Sequence, residues 1–338
     1  MTQIADGIYQ LKVPFANNPQ GDINSYLLCG SKEYLLIDPG ANTDTGFDSL
    51  QRQLAEIGLG FKDITRILIT HCHIDHYGLA GRVKERSQAK IIAHSRAKDV
   101  IQTREPTREK GIPQREQWLK LNGAPSFEAE ANHQHDPQLQ KQTAEIAKLF
   151  VSMTTDITIE DNETISLGGL SLKVLWAPGH SPDHICLYEP SNKILFSGDH
   201  VLPGTIPQVS SESHSETNPL GDFISSLNRL KQLDVNLVLP AHEHQFSDLP
   251  ARIEEVIQNF QQRSAKILAL LNTEPKTAYQ IASEIVWRPK AGGVKFQDLE
   301  TWRKRMAISG ALAHLKAMKF EGKVTTFFRD DIIYYRHN

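Results

Sequence analysis

An apolar run, Ile64–Thr70, leads directly into His71-Cys72-His73-Ile74-Asp75-His76-Tyr77-Gly78, so four side chains able to bind a metal stand where a strand ends. If residues 69–73 stay extended, the side-chain period of two puts His71 and His73 on one face and Cys72 on the other, and the two histidines can share one ion. Asp75 and His76 open the helical-looking stretch 79–87. As helical neighbours they point about 100° apart and can reach a second ion. The spacing therefore predicts a metal centre at the mouth of a sheet.

HxHxDH is the signature of the metallo-β-lactamase superfamily, and further signature pieces follow in order: Asp38 in LLIDPG, His180 in APGHSPDH, Asp199 in LFSGDH and His242 in LPAHEH. Over about residues 4–250 the chain resembles that superfamily. The resemblance implies an α/β fold, the αββα sandwich. It also implies that His71, His73 and His180 hold a first metal, that Asp75, His76 and His242 hold a second, and that Asp199 bridges both, with Asp38 supporting the site from outside the ligand set. Imidazoles and carboxylates suit zinc, iron or manganese, and two divalent ions, zinc by default, are the expected cofactors. Two ions sharing an oxygen can bring bound water to a pKa of about 7, which makes a protein nucleophile unnecessary.

Asp75 and His184 are the candidate catalytic residues. His184, four residues after His180, is either a hydrogen-bonded support for the ligands or a proton donor to the leaving group. His200 is expected to line a neighbouring loop and His244 an exposed turn. His94, His133, His135, His214, His314 and His337 have no ligand spacing beyond the pair at 133 and 135. Cys29, Cys72 and Cys186 lack CxxC spacing and read as small buried apolar residues, and their low, odd number favours a reducing compartment.

A chain of 338 residues with 39% hydrophobic content can bury one large core and a smaller module. No apolar run of about 18 residues and no charged-then-apolar leader is present, so no membrane span or signal peptide is expected, and a cytoplasmic location is. Strands are expected at 8–13, 23–29, 33–37, 64–70 and 90–93 with helices at 44–58 and 79–87. A second set is expected at 156–159, 164–167, 170–176, 184–188, 193–197 and 235–239 with a helix at 219–232. The polar segment 103–152 carries four prolines and is read as a helical insertion, a lid or dimer contact over the cleft.

The domain expectation is a catalytic domain over 1–250 and a tail over 251–338. In the tail, helices at 251–271, after Thr277 as N-cap, and at 299–319 precede two β-rich runs about Arg329–Asp331, an order that resembles a winged helix. Residues 261–338 hold 14 Lys and Arg against 7 Asp and Glu, so the tail carries +7 and the first 260 residues −10 of a net −3. That basic bias raises nucleic-acid contact as a less favoured partner reading beside a small-molecule substrate. The tail's apolar content favours packing and a homo-oligomer.

The expected function is a binuclear hydrolase of a small ester, thioester or lactone, since Gly179–Ile185 resembles the glyoxalase II-like members. The alternatives are a phosphodiesterase or endoribonuclease resembling the lactamase-like protein 2 type with its winged tail, and a mononuclear iron enzyme resembling the persulfide dioxygenases.

Overall fold

The computed structural model describes residues 1–16, 21–98, 100, 116–127, 153–211, 217–287 and 293–338. The chain divides into two compact units, one of Met1–Glu105, Pro137–Pro207 and Ser226–Ile253, the other of Pro106–Asp136, Gln208–Ser225 and Glu254–Asn338. Among the described residues no helix is long and apolar enough to cross a membrane.

The first unit is built on two sheets. One runs in chain order through β1 (Thr2–Ala5), β2 (Ile8–Val13), β3 (Ile23–Cys29), β4 (Tyr34–Ile37), β5 (Arg66–Leu68), β6 (Lys90–His94) and β7 (Ile157–Ile159). It is antiparallel as far as β4 and parallel beyond it. The other, in the order β12-β11-β10-β9-β8, is made of β8 (Thr164–Leu167), β9 (Leu170–Trp176), β10 (Ile185–Glu189), β11 (Ile194–Gly198) and β12 (Leu237–Pro240). The parallel strands are apolar on both faces because both faces are covered. Leu35, Ile37, Leu68 and Ile92 pack with Leu172, Val174, Ile185, Leu187 and Phe196 of the second sheet. Leu36, Ile67 and Ile91 turn the other way, onto Phe47, Leu50 and Leu54 of α1 (Asp44–Ala55) and onto Val83.

Two short helices, α2 (Ile74–Tyr77) and α3 (Ala80–Ser87), follow β5. Behind the second sheet, the C-terminal half of α4 (Pro219–Leu230) is tied down by Ser226 Oγ donating to Pro178 O at 3.0 Å and by Arg229 donating to Trp176 O at 3.3 Å. Helix, sheet, sheet and helix are the layers of an αββα sandwich. The strand expectations hold to within a residue or two, except that the 64–70 run narrows to β5. The short edge strand β1 carries no alternating apolar signal and was not anticipated.

In the second unit α5 (Leu249–Leu271) continues into α6 (Ala278–Glu284), α7 (Thr301–Phe320) and a hairpin of β13 (Val324–Arg329) and β14 (Ile332–His337). Thr277 caps α6 as expected: its hydroxyl accepts from Gln280 N, and the Gln280 side chain accepts from Thr277 N in return. Asp330 and Asp331 make the two-residue turn, both at positive φ (50° and 61°), the conformation that matches hairpin twist.

The tail's core is completed by an earlier segment. Leu119, Ala124 and Phe127 pack with Ile267, Ile281, Trp287, Ile308, Leu312, Leu315 and Val324. Part of the apolar excess expected to need covering is thus buried within the unit, while Trp302, Phe320 and Phe328 stay exposed. Of the segment 103–152, residues 116–127 are described and include a helical stretch at 116–121. The rest, with His133 and His135, lies outside the described residues, as does His214.

His314 is buried in α7, with its Nδ1 2.7 Å from Ser264 Oγ. Burial and the neighbouring Arg263 charge push its pKa down to about 3. The unfolded chain takes up that proton near the ordinary value of about 6.5, so the neutral ring stabilises the fold above that pH, and the contribution is lost as pH falls from about 6.5 toward 3. Urea unfolding from pH 4 to 7 is expected to show a shallower pH dependence in His314→Asn than in the parent, by up to about 1.4 kcal/mol per pH unit. Equal slopes would show that this ring does not govern acid sensitivity.

Candidate metal centre

All seven residues expected as ligands lie just beyond strand ends of the first unit, where backbone is released from the ladder and side chains can converge. His71 and His73 follow β5, and His73 is the extended N-cap of α2, which carries Asp75 and His76. His180 lies between β9 and β10, Asp199 follows β11 and His242 follows β12. Gly198, at φ 53°, lets the chain turn before Asp199, and a Cβ there would sit 2.6 Å from His184 Nε2.

Two groups of ligand atoms result, His71, His73, His180 and Asp199 in one, Asp75, His76 and His242 in the other, each with its atoms within 4.8 Å of one another. In the first, His73 Nδ1 lies 2.8 Å from His71 Nε2 and 3.1 Å from His180 Nε2. Asp199 faces both groups. Its Oδ2 is 3.5 Å from His76 Nε2 and 3.7 Å from His180 Nε2, while Oδ1 is 3.5 Å from His242 Nε2. Asp75 Oδ2 is 3.6 Å from His242 Nε2.

The separations of 3.5–3.7 Å about Asp199 and Asp75 are long for hydrogen bonds and close to the edge of a tetrahedron with metal–ligand bonds of 2.0–2.1 Å, about 3.3 Å. His76 Nε2, His242 Nε2 and Asp199 Oδ1 are buried and make no hydrogen bond. Buried polar atoms left this way cost stability unless a cation satisfies them, so the donor set fits divalent metal.

Asp38 sets the histidine tautomers. Its Oδ1 accepts from Thr70 N at 2.8 Å, and its Oδ2 accepts from Thr70 Oγ at 2.6 Å and from His76 Nδ1 at 2.9 Å. Because a carboxylate only accepts, the proton that His76 keeps in its neutral form is the one on Nδ1, and losing the other turns the Nε2 lone pair inward. Thr70, having given its proton to Asp38, accepts from His71 Nδ1 at 3.1 Å, which frees His71 Nε2 in the same way. One carboxylate outside the ligand set thus orients a histidine of each group.

Electrostatics divide the centre. Burial, then the neighbouring histidines, hold His71 well below the ordinary histidine range. For His76, burial works against the charge, but the Asp199, Asp38 and Asp75 carboxylates outweigh it and hold the ring well above that range. His242 is raised against its burial, chiefly by Asp199. Asp199 in turn is buried, yet His242 and His76 hold it well below the usual carboxylate range. The second group thus attracts positive charge, and metal must displace protons to enter it.

His184 is fully buried, and its Nε2 accepts from Asp199 N at 3.2 Å. A proton donor to a leaving group needs an N–H facing the cleft, so this placement suits a support for Asp199. His200, in the bend after β11, is buried with its ring 5.2 Å from the His184 ring. His244 is exposed, as expected. His94, without ligand spacing, is buried and stacks on Trp176.

The sequence reading missed the residues that hold the loops. Thr70 is one. Asn24 donates to Pro240 O at 2.9 Å and Tyr26 to the same oxygen at 2.7 Å, fixing the turn that presents His242. Their signal was weak: polar groups within β3, a strand that is buried from Ile23 to Leu28.

The profile of the metallo-beta-lactamase superfamily matches residues 18–242. The chain belongs to that superfamily, and it is an enzyme, a metallo-hydrolase. Among its relatives, "Probable metallo-hydrolase YqjP" of Bacillus subtilis is 25% identical over 332 residues, 97% of this chain and 96% of that protein. A metallo-beta-lactamase family protein of Thermus thermophilus superposes with a TM-score of 0.79 at 27% identity, covering 99% of this chain and all of the other. A beta-lactamase domain protein of Burkholderia ambifaria, 21% identical, shares the fold over 99% of this chain and 94% of its own, with a TM-score of 0.78.

Proposed function

We propose that the protein is a binuclear hydrolase of a small ester, thioester or lactone, with His71, His73 and His180 holding one divalent ion, Asp75, His76 and His242 the other, and Asp199 shared. The observation that carries this reading is the Asp199 carboxylate, which faces ligand atoms of both groups at 3.5–3.7 Å. When bound, the ions supply a nucleophilic water near neutral pH and positive charge against the developing oxyanion. His73, Asp75 and His180 are the less buried members of the set and mark the side from which substrate arrives. Asp75, on that side, is the carboxylate suited to take a proton from the incoming nucleophile. Cysteine chemistry is disfavoured, because burial pushes the Cys29 thiol up to about 11 and Cys186 higher still.

The tail's order of three helices and a hairpin supports a winged-helix-like domain over 251–338, whose exposed Trp302, Phe320 and Phe328 would be covered in a homo-oligomer. The +7 charge of residues 261–338 is the observation behind the second reading, a phosphodiesterase or endoribonuclease.

Elemental analysis after reconstitution is expected to return about two divalent ions per chain, zinc by default. Turnover is expected on thioester or lactone and not on bis(p-nitrophenyl) phosphate or single-stranded RNA. Metal affinity should fall as pH falls, since His76 and His242 must lose protons to bind. One equivalent of iron with oxygen-dependent turnover would point instead to the dioxygenase-like alternative, and salt-sensitive RNA cleavage to the nuclease.

A further inference from the structure

The first ligand group is drawn from two chain segments far apart in sequence, yet His73 Nδ1 and His180 Nε2 stand 3.1 Å from each other. Something must register those segments at sub-ångström tolerance. We infer that Asp183 is a positioning residue for the first metal group, clamping the His71-Cys72-His73 turn to the loop that carries His180. This rests on the proposal that the two groups hold metal.

Asp183 is 1% exposed. Its Oδ2 accepts from Cys72 N at 2.8 Å, and its Oδ1 accepts a short hydrogen bond from Ser181 Oγ. Cys72 lies between two ligands, so its N–H cannot shift without rotating the backbone that aims both imidazoles. Ser181 is the residue after His180. A single buried carboxylate therefore grips the chain beside all three histidines, through hydrogen bonds of the charge-assisted kind, roughly twice as strong as neutral ones. A backbone bond, Ile185 N to Thr70 O at 2.9 Å, joins the same segments, but it lies outside both ligand runs and leaves the ring directions free.

The second group is held by different residues. Asp38 fixes His76, while Asn24 and Tyr26 fix the turn before His242. The hydrogen bonds of the Asp183 carboxylate go to Cys72 and Ser181, so its loss should act on one group and spare the other.

The test is a chelator-competition titration with zinc of the full chain, with His180→Ala and His242→Ala identifying which binding step belongs to which group. Asp183→Ala is expected to weaken the His180-dependent step on the order of 10–100-fold and leave the His242-dependent step unchanged. Asp183→Asn should restore most of that affinity, because its Oδ1 still accepts from Cys72 N while Nδ2 donates to Ser181 Oγ. Ser181→Ala, which keeps the carboxylate and one of its two bonds, should weaken the same step by less, and it decides the matter if Asp183→Ala does not fold. Loss of both steps in proportion to a fall in thermal midpoint, selective loss of the His242-dependent step, or unchanged binding would each overturn the inference. If the parent protein takes up a single ion, the binuclear reading falls by itself, and the clamp is still judged on the His180-dependent step. Failure of the parent to bind zinc, iron or manganese at all would overturn both.

Discussion

Asp199→Asn is expected to abolish measurable turnover, a fall on the order of a thousand-fold or more, and to lower bound metal from about two ions to at most one. The carboxylate presents Oδ2 to His76 and His180 and Oδ1 to His242, so it faces both groups. Asparagine keeps the shape and turns one of those atoms into a donor. A donor aimed at a site for cations repels what the carboxylate attracts, and the missing negative charge removes the principal counterweight to His242. The measurement is metal content by elemental analysis beside single-turnover kinetics at saturating zinc. Wild-type turnover with two ions bound would refute the shared role. Full metal content with lost turnover would make Asp199 important to chemistry and dispensable for binding.

How much of this centre could be read in advance depends on how local its causes are. The proposed ligands stood out because metal chemistry restricts residue type and because strand and helix periods fix the direction of side chains one, two or four residues apart. His71, His73, Asp75 and His76 were legible for that reason, and the capping box at Thr277 likewise. Asp38 was expected beside the site, but its grip on two tautomers required seeing Thr70 between it and His71.

Asp183, Asn24 and Tyr26 had little local signature, since each acts on a loop far along the chain. The same limit explains His314. Its burial is set by the packing of α7, which is enclosed on nearly all sides from Ala307 to Met318 and so shows no apolar stripe for a sequence pattern to detect. The partners of the tail's core were hidden for a related reason: Leu119, Ala124 and Phe127 join it by tertiary packing, which no local pattern announces.

Asp38→Asn should fold and yet lose metal from both groups, each by about 10–100-fold. Asp38 sits at φ 49°, a left-handed conformation that asparagine tolerates as well as any non-glycine residue, so the backbone need not move. The carboxamide must then choose. With its oxygen on Thr70 N, its NH2 group faces Thr70 Oγ and His76 Nδ1, both of which have to become acceptors. His76 would then carry its proton on Nε2, the atom turned toward the metal. Thr70, released from donating to Asp38, would donate to His71 Nδ1 and drive that proton to Nε2 as well. Flipping the amide avoids this only by opposing two donors at Thr70 N, at a cost of about 1–3 kcal/mol for the buried unsatisfied group. Either arrangement withdraws a lone pair or destabilises the loop that supplies it. Proton–nitrogen correlation spectra of the histidine rings, with the metal-free protein at a pH high enough for both rings to be neutral, would detect the change as Nδ1–H signals of His71 and His76 replaced by Nε2–H. Unchanged ring tautomers together with unchanged zinc affinity would mean that Asp38 holds the loop and nothing more.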